Sequence, residues 1–321
     1  MSEPLLEFRQ VRKWFPITGG VLQLTIAHVH AVDDVSLVIH RGETLGLVGE
    51  SGCGKSTLGR LGVKLLKPTR GDVLYRGRGL RQLWGRALRE FRRKVQIIFQ
   101  DPYSSLNPRM AAGGVVAEGI AIHRLSGGRP PLDRAADYLE RVGLSRDDLP
   151  RYPHEFSGGQ RQRLGIARAL AVQPELIVCD EPVSALDVSI QAQIIELLRE
   201  LQQEYGLSYL FVAHDLAVVR HISDRIAVMY LGRLCEEAPR DLLCDRPLHP
   251  YTLALLSAAP EPDPTIPLQP IPLPGDVPSR VNPPKGCRFA PRCTLASDRC
   301  RERQPEWREV EPGHWVACHE A

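Results

Sequence analysis

Apolar residues come in short runs separated by amphipathic stretches from Leu5 to about Ala259. The runs at 45–48, 95–99, 176–179, 209–213 and 226–230 are rich in Val, Ile and Leu and bounded by polar residues, which predicts buried strands. Between them, 56–66, 132–142, 160–171 and 189–205 repeat their apolar positions at helical spacing. Strands alternating with helices predict an α/β fold with a mostly parallel sheet covered on both faces. Residues 29–39 instead alternate apolar and polar positions, which predicts an antiparallel β layer. The stretch 110–140 reads as largely helical and suggests a helical subdomain over about 105–172. After residue 259 the pattern stops. From 260 to 284, ten of 25 residues are proline, which removes amide donors and favours extended backbone, so 260–286 is expected to be a linker or a strap over the surface. The predicted organisation is a main domain over 1–259, this linker, and a small cysteine-rich module over 287–321.

Length and charge add limits. The 321 residues leave room for one large domain and an appendage, and a net charge of +3 demands neither a nucleic acid nor an acidic membrane surface as partner. The arginines between 76 and 93 read as a solvated face. No apolar run approaches the roughly 20 residues of a membrane span and no secretory signal opens the sequence, so a soluble or peripheral cytoplasmic protein is expected.

Gly49-Glu50-Ser51-Gly52-Cys53-Gly54-Lys55-Ser56-Thr57 fits the phosphate-binding loop pattern, with a predicted strand before it and a helix after it. Glycines let the backbone curl so that its amides surround a β-phosphate, Lys55 reaches the β and γ oxygens, and the Ser56 hydroxyl can ligate Mg²⁺. Nucleotide binding follows. Asp180 closes an apolar run and Glu181 follows it, a placement that suits Asp180 to hold Mg²⁺ through water and Glu181 to polarise an attacking water. Taken alone, the two acids equally suit an ordinary turn. His214 ends the run 209–213 and is a candidate for the γ-phosphate, although a lone histidine at a strand end is more often structural. Gln100, after 95–99, can ligate Mg²⁺ or water without adding charge, or simply open a polar loop. Phe156-Ser157-Gly158-Gly159-Gln160 stands where a loop becomes a helix, so the amides of Ser157, Gly158 and Gly159 and the helix N-terminus make a second anion site.

Together these motifs resemble the ATP-binding-cassette ATPases over about residues 5–259, with every element in order. The resemblance implies that ATP and Mg²⁺ are bound, that Phe156 to Gln160 is the family signature, that Gln100 is the Q-loop residue, that Ser184-Ala185-Leu186-Asp187 is the D-loop, and that His214 is the switch histidine. It also points to Phe15, within Val11-Arg12-Lys13-Trp14-Phe15, as the ring that stacks on adenine, with Trp14 second and core packing the alternative for both. Narrower matches extend the likeness to the oligopeptide/dipeptide importer ATPases and to the whole chain: Ile97-Ile98-Phe99-Gln100-Asp101-Pro102, Arg151-Tyr152-Pro153-His154-Glu155-Phe156 and Pro247-Leu248-His249-Pro250-Tyr251-Thr252. A phenylalanine at the signature's first position replaces leucine and leaves Ser157, Gly158 and Gly159 intact.

Eight cysteines divide into four scattered ones and a terminal group, Cys287, Cys293, Cys300 and Cys318. Four thiolates suffice for a [4Fe–4S] cluster or for tetrahedral Zn²⁺, and the wide gaps suit the cluster better than paired zinc knuckles. Two disulfides or four free thiols are the alternatives, and disulfides are disfavoured in a cytoplasmic protein. Some peptide-importer ATPases carry such a cluster in this tail. The resemblance therefore implies an ATPase subunit that powers peptide import across the bacterial inner membrane, peripheral on its cytoplasmic face. Its expected partners are a second ATPase subunit, favoured as a paralogue, two permease subunits and an extracytoplasmic solute-binding protein, with no nucleic acid. ATPases of nickel, glutathione or export systems, and soluble ABC proteins, are the alternatives.

Overall fold

A computed structural model describes residues 3–20, 23–258 and 269–321. The first part of the predicted proline-rich linker, 260–268, lies outside the described residues. The chain groups into two compact units, one of residues 1–3, 40–42 and 82–211, the other of residues 4–39, 43–81 and 212–321.

In the first unit, Val95–Ile98 pairs in parallel with Leu176–Asp180, Val95 opposite Leu176 and Ile98 opposite Cys179, and Ser208–Ala213 lies on the other side of Leu176–Asp180. Every residue of Leu176–Asp180 is buried. A parallel strand flanked on both edges and covered on both faces has no polar-facing side, which is why its sequence is a continuous apolar run rather than an alternating one. The expected helical stretch at 110–140 is two helices, Ala112–Ile122 and Pro131–Arg141, which pack on each other and on Gly158–Leu170. Pro131 opens the second of them, where its missing N–H costs nothing.

In the second unit, an antiparallel sheet has the order Leu24–His40, Pro4–Gly19, Arg70–Tyr75, Arg78–Gly79. The predicted β stretch at 29–39 belongs to the first of these strands. A second set of strands runs Arg308–Glu311, His314–Val316, Arg233–Pro239, Arg225–Tyr230, Thr44–Val48. Thr44–Val48 pairs in parallel with Arg225–Tyr230, and the remaining pairings are antiparallel. The cysteine-rich tail thus adds a hairpin to this sheet, with Glu236 opposite Val316 and Glu237 opposite Trp315. The tail shares the unit's sheet and core, so a metal or disulfide staple is not its sole source of order.

Buried ion pairs tie the tail down. Arg288 and Asp33, 6% and 5% exposed, form a salt bridge, and Arg233 reaches the same carboxylate at 3.1 Å. Glu236, fully buried, accepts the N–H groups of Leu248 and His249 at 2.7 and 2.9 Å, with His314 Nε2 also 2.7 Å away. No helix of the described residues is long and apolar enough to cross a membrane.

Candidate functional site

In the second unit, the buried strand Thr44–Val48 delivers residues 49–54 to the N-terminus of the helix Lys55–Gly62. A Cβ on Gly49 (φ +154°) would lie 2.1 Å from the Met229 carbonyl oxygen, and one on Gly54 (φ +117°) 2.1 Å from that of Ala31. Only glycine permits this curl. Lys55, 3% exposed, donates from Nζ to the carbonyls of Gly49 at 2.6 Å and Glu50 at 3.1 Å, so its ammonium sits inside the loop. Ser51 and Gly52 are exposed at the tip, Cys53 is buried behind it, and Ser56 and Thr57 are half-buried in the first helical turn. Burial pushes the Cys53 thiol up, against the opposing pull of Lys55. The cradle therefore fits a phosphate chain, with the Ser56 hydroxyl at the helix start where a cation could be held.

The sequence reading did not anticipate what braces this loop. Tyr251 Oη accepts the Glu50 N–H at 2.7 Å, and Arg292 Nη1 donates to both Glu50 carboxylate oxygens at 2.8 and 2.9 Å. Tyr251 lies in the Pro247 to Thr252 stretch, whose signal was visible as a family marker but not as a contact. His249 Nδ1 in turn accepts the Tyr251 N–H at 3.0 Å. Burial lowers the pKa of His249 to about 4, which keeps it neutral and able to accept.

Also in this unit, Trp14 and Phe15 lie on the strand Pro4–Gly19, both half-buried. Lys13 Nζ stands 4.9 Å from the Phe15 ring centre, and the Trp14 ring packs 4.5 Å from that of His30. His214 is exposed just beyond Ser208–Ala213, before Asp215, whose carboxylate caps the helix Leu216–Ile222 by accepting the Ala217 N–H at 2.8 Å.

In the first unit, the strand Leu176–Asp180 brings Asp180, fully buried, to its end, and Glu181 follows at φ 48°, a left-handed backbone rare outside glycine. Such a bend lifts the carboxylate off the strand axis. Gln100 Nε2 donates to Glu181 Oε2 at 2.9 Å, so two residues 81 apart in sequence, each a separate candidate in the sequence, are brought together. The helix predicted to start at 160 begins at Gly158, two residues earlier. Ser157 caps it, its Oγ accepting the Gln160 N–H at 3.3 Å while Gln160 Oε1 accepts the Ser157 N–H at 3.0 Å. A Cβ on Gly159 would come within 2.7 Å of Ile190 Cγ2, so glycine here is a packing requirement of the helix Val188–Tyr205. Gln100, Gly158, Pro182 and Leu186 line a common cavity of about 170 Å³. Asp187 caps the helix Val188–Tyr205, accepting the Ile190 N–H at 3.0 Å.

In the tail, Cys287, Cys293, Cys300 and Cys318 are all free, so the disulfide alternative is not formed. Burial pushes the thiols of Cys287, Cys293 and Cys318 up, and backbone N–H groups pull each back: those of Phe289 and Ala290 on Cys287, Leu295 on Cys293, Glu320 and Ala321 on Cys318. Donors of this kind suit a thiolate ligand. Among the described residues, however, no three His, Cys, Asp or Glu side chains converge as a metal-holding group. The sequence spacing allowed a ligand set that the folded tail does not present.

Two family models match the chain: "ABC transporter" over residues 32–184 and "Oligopeptide/dipeptide transporter, C-terminal region" over residues 235–300. The chain is 52% identical over 321 residues to the oligopeptide transport ATP-binding protein AppF of Bacillus subtilis, covering 99% of this chain and 98% of that one. It is 53% identical over 319 residues to the probable peptide ABC transporter ATP-binding protein y4tS of Sinorhizobium fredii, covering 99% and 90%. Among solved structures it resembles the ATP-binding cassette MJ0796 in a dimeric post-hydrolysis state bound to ADP and Pi, with TM-score 0.64 and 30% identity, covering 74% of this chain and 99% of that one. It also resembles cbiO1 of Clostridium perfringens, part of the cbiONQ transporter complex, with TM-score 0.63 and 26% identity, covering 76% and 92%.

Proposed function

We propose that this chain, which belongs to the ATP-binding proteins of the ABC transporters, is the ATP-hydrolysing subunit that powers import of peptides or closely related solutes across a bacterial inner membrane. What carries the reading is that the likeness to named oligopeptide transport ATPases runs through the whole chain, tail included. Within that family ATP hydrolysis is the chemistry, and the two anion-binding helix starts, at Lys55 and Gly158, supply phosphate sites for it.

Each residue's role follows from its chemistry. The amides of residues 49–57 and the Lys55 ammonium hold the β- and γ-phosphates, the Lys55 side chain exchanging its loop carbonyls for phosphate oxygens. Ser56, Asp180 and Gln100 are the residues that would hold Mg²⁺, which when bound offsets the negative charge of the phosphates. Glu181 accepts the proton of the attacking water, and the Gln100 amide, already hydrogen-bonded to it, fixes the orientation of its carboxylate. His214 contacts the γ-phosphate, and Phe15, before Trp14, stacks on adenine. Ser157, Gly158, Gly159 and Gln160 serve the nucleotide of a facing ATPase subunit rather than this chain's own. The chain works as one of a pair, on permeases at the cytoplasmic face, with a paralogue opposite it. Main domain, strap and tail are read as 1–259, 260–286 and 287–321.

For the tail we extend the proposal to a bound [4Fe–4S] cluster, with Zn²⁺ as the alternative. Four free thiols with backbone donors on three of them support it, and binding would require them to close on a common centre. Iron, sulfide and zinc analysis after anaerobic purification decides it: stoichiometric zinc or no metal removes the cluster. The ATPase roles are tested by Glu181→Gln, which should bind ATP at wild-type affinity while hydrolysis falls by at least about a hundredfold. Hydrolysis at half the normal rate would refute the assignment.

A further inference from the structure

The proline-rich strap does more than connect. Its described part lies in the same unit as the phosphate-binding loop, and Arg280 stands at the loop's tip. A Cβ built on Gly52 would meet Arg280 Nη2 at 2.3 Å, Cζ at 3.4 Å and Nη1 at 3.8 Å, so the guanidinium approaches the exposed glycine end-on through Nη2. The same guanidinium acts electrostatically on Cys53, the next residue of the loop.

This position is held by the backbone. The Arg280 carbonyl accepts the His30 N–H at 3.0 Å, one residue from Ala31, whose own carbonyl packs on Gly54. Ser257 Oγ accepts the Ile271 N–H at 2.9 Å upstream, and Pro278, Pro283 and Pro284 restrict the backbone on both sides. The origin of the Arg280 side chain is thereby fixed beside the loop. Arg288 is neutralised by Asp33 and Arg292 by Glu50, whereas Arg280 has no carboxylate partner among the described residues. A positioned guanidinium without a counter-charge, touching a loop built to hold phosphate, is short of an anion.

We propose that Arg280 is a nucleotide-binding residue: the strap brings its guanidinium onto the β- and γ-phosphates held by residues 49–57, adding a forked donor pair to the loop's amides. The proposal rests on the reading of that loop as the ATP site. Because the strap leads directly into the tail at Cys287, nucleotide binding and strap position would also be linked.

The test is equilibrium binding of ADP and of ATP to the full-length chain, with adenosine as the uncharged probe. Arg280→Met, which keeps the length of the side chain and removes its charge, should weaken ADP and ATP binding by about tenfold and leave adenosine unaffected. Arg280→Lys, keeping the charge but not the fork, should fall within about threefold of wild type. Unchanged or tighter binding in Arg280→Met would overturn the proposal, the latter marking Arg280 as an occupant that nucleotide must displace. An equal loss for adenosine would assign it a purely structural role. Lys55→Ala separates the two levels: if it weakens ADP binding and Arg280→Met does not, only Arg280 is misassigned. If Lys55→Ala has no effect, the loop reading itself falls, and this proposal with it.

Discussion

Replacing Arg288 with methionine removes the cation that anchors the tail to Asp33. Both partners are buried, and breaking such a pair from one side costs about 3–5 kcal/mol when the surviving charge is left alone. Asp33 would not be alone, because Arg233 stays at 3.1 Å and Arg12 at 3.7 Å. The expected loss is therefore about 2–3 kcal/mol, below the full range. Urea unfolding followed by tryptophan fluorescence reads it, since Trp307 and Trp315 stack 6.2 Å apart in the tail. At a slope of about 2–3 kcal/mol per molar, the transition of the tail should move down by on the order of 1 M. Combining Arg288→Met with Asp33→Asn should cost less than the sum of the two single changes, because the double variant buries no unpaired charge there. The pH dependence has a defined sign. Burial alone would raise the Asp33 pKa, but Arg288 and then Arg233 more than offset it and hold the carboxyl below its ordinary value. The pair's stabilisation is present above about pH 4 and lost as pH falls through the depressed value. A shift under about 0.5 kcal/mol in Arg288→Met, or strict additivity in the double variant, would refute the anchoring role.

Other consequences are checked more briefly. Tyr251→Phe removes the acceptor of the Glu50 N–H and should weaken ATP binding by about fivefold with little change in melting temperature; unaltered affinity would show that the loop does not need this brace. Gly159→Ala forces a Cβ to within 2.7 Å of Ile190 Cγ2 and should cost about 1–3 kcal/mol of stability, a cost that Ile190→Ala in the same chain should relieve. His249 is neutral in the fold, with its pKa lowered to about 4, so its contribution is complete above about pH 6.5 and declines as pH falls toward 4; this part of the acid sensitivity should vanish in His249→Asn, as measured by melting temperature against pH.

The strands of the parallel sheet were legible because burial on both faces imposes continuous runs such as 176–179. The phosphate loop was legible because its glycines answer to backbone curvature, seen at Gly49 and Gly54. Pairing of Gln100 with Glu181 had no such signal, since the sequence marks each as a candidate without linking the two. The strap and tail were much less readable. Proline content says that a segment is extended but not what it lies on, so Arg280 over Gly52 had no sequence signal. The strands Arg308–Glu311 and His314–Val316 are too short to show periodicity, so the sequence presents the tail only as a separate cysteine-rich module. Cysteine spacing gave a count of ligands, whereas convergence depends on turns that spacing does not encode. Arg292, one residue before Cys293, was hidden in the same segment, although it holds Glu50 of the phosphate loop.

The most direct measurement of the central claim is ATP hydrolysis by the chain reconstituted in vesicles with its permeases and a second ATPase subunit, with and without peptide-loaded solute-binding protein. Hydrolysis should be slow without the loaded binding protein, rise with it in step with peptide entry into the vesicles, and disappear with Glu181→Gln. Hydrolysis indifferent to permeases and peptide, or peptide entry that continues with Glu181→Gln in both ATPase subunits, would contradict it.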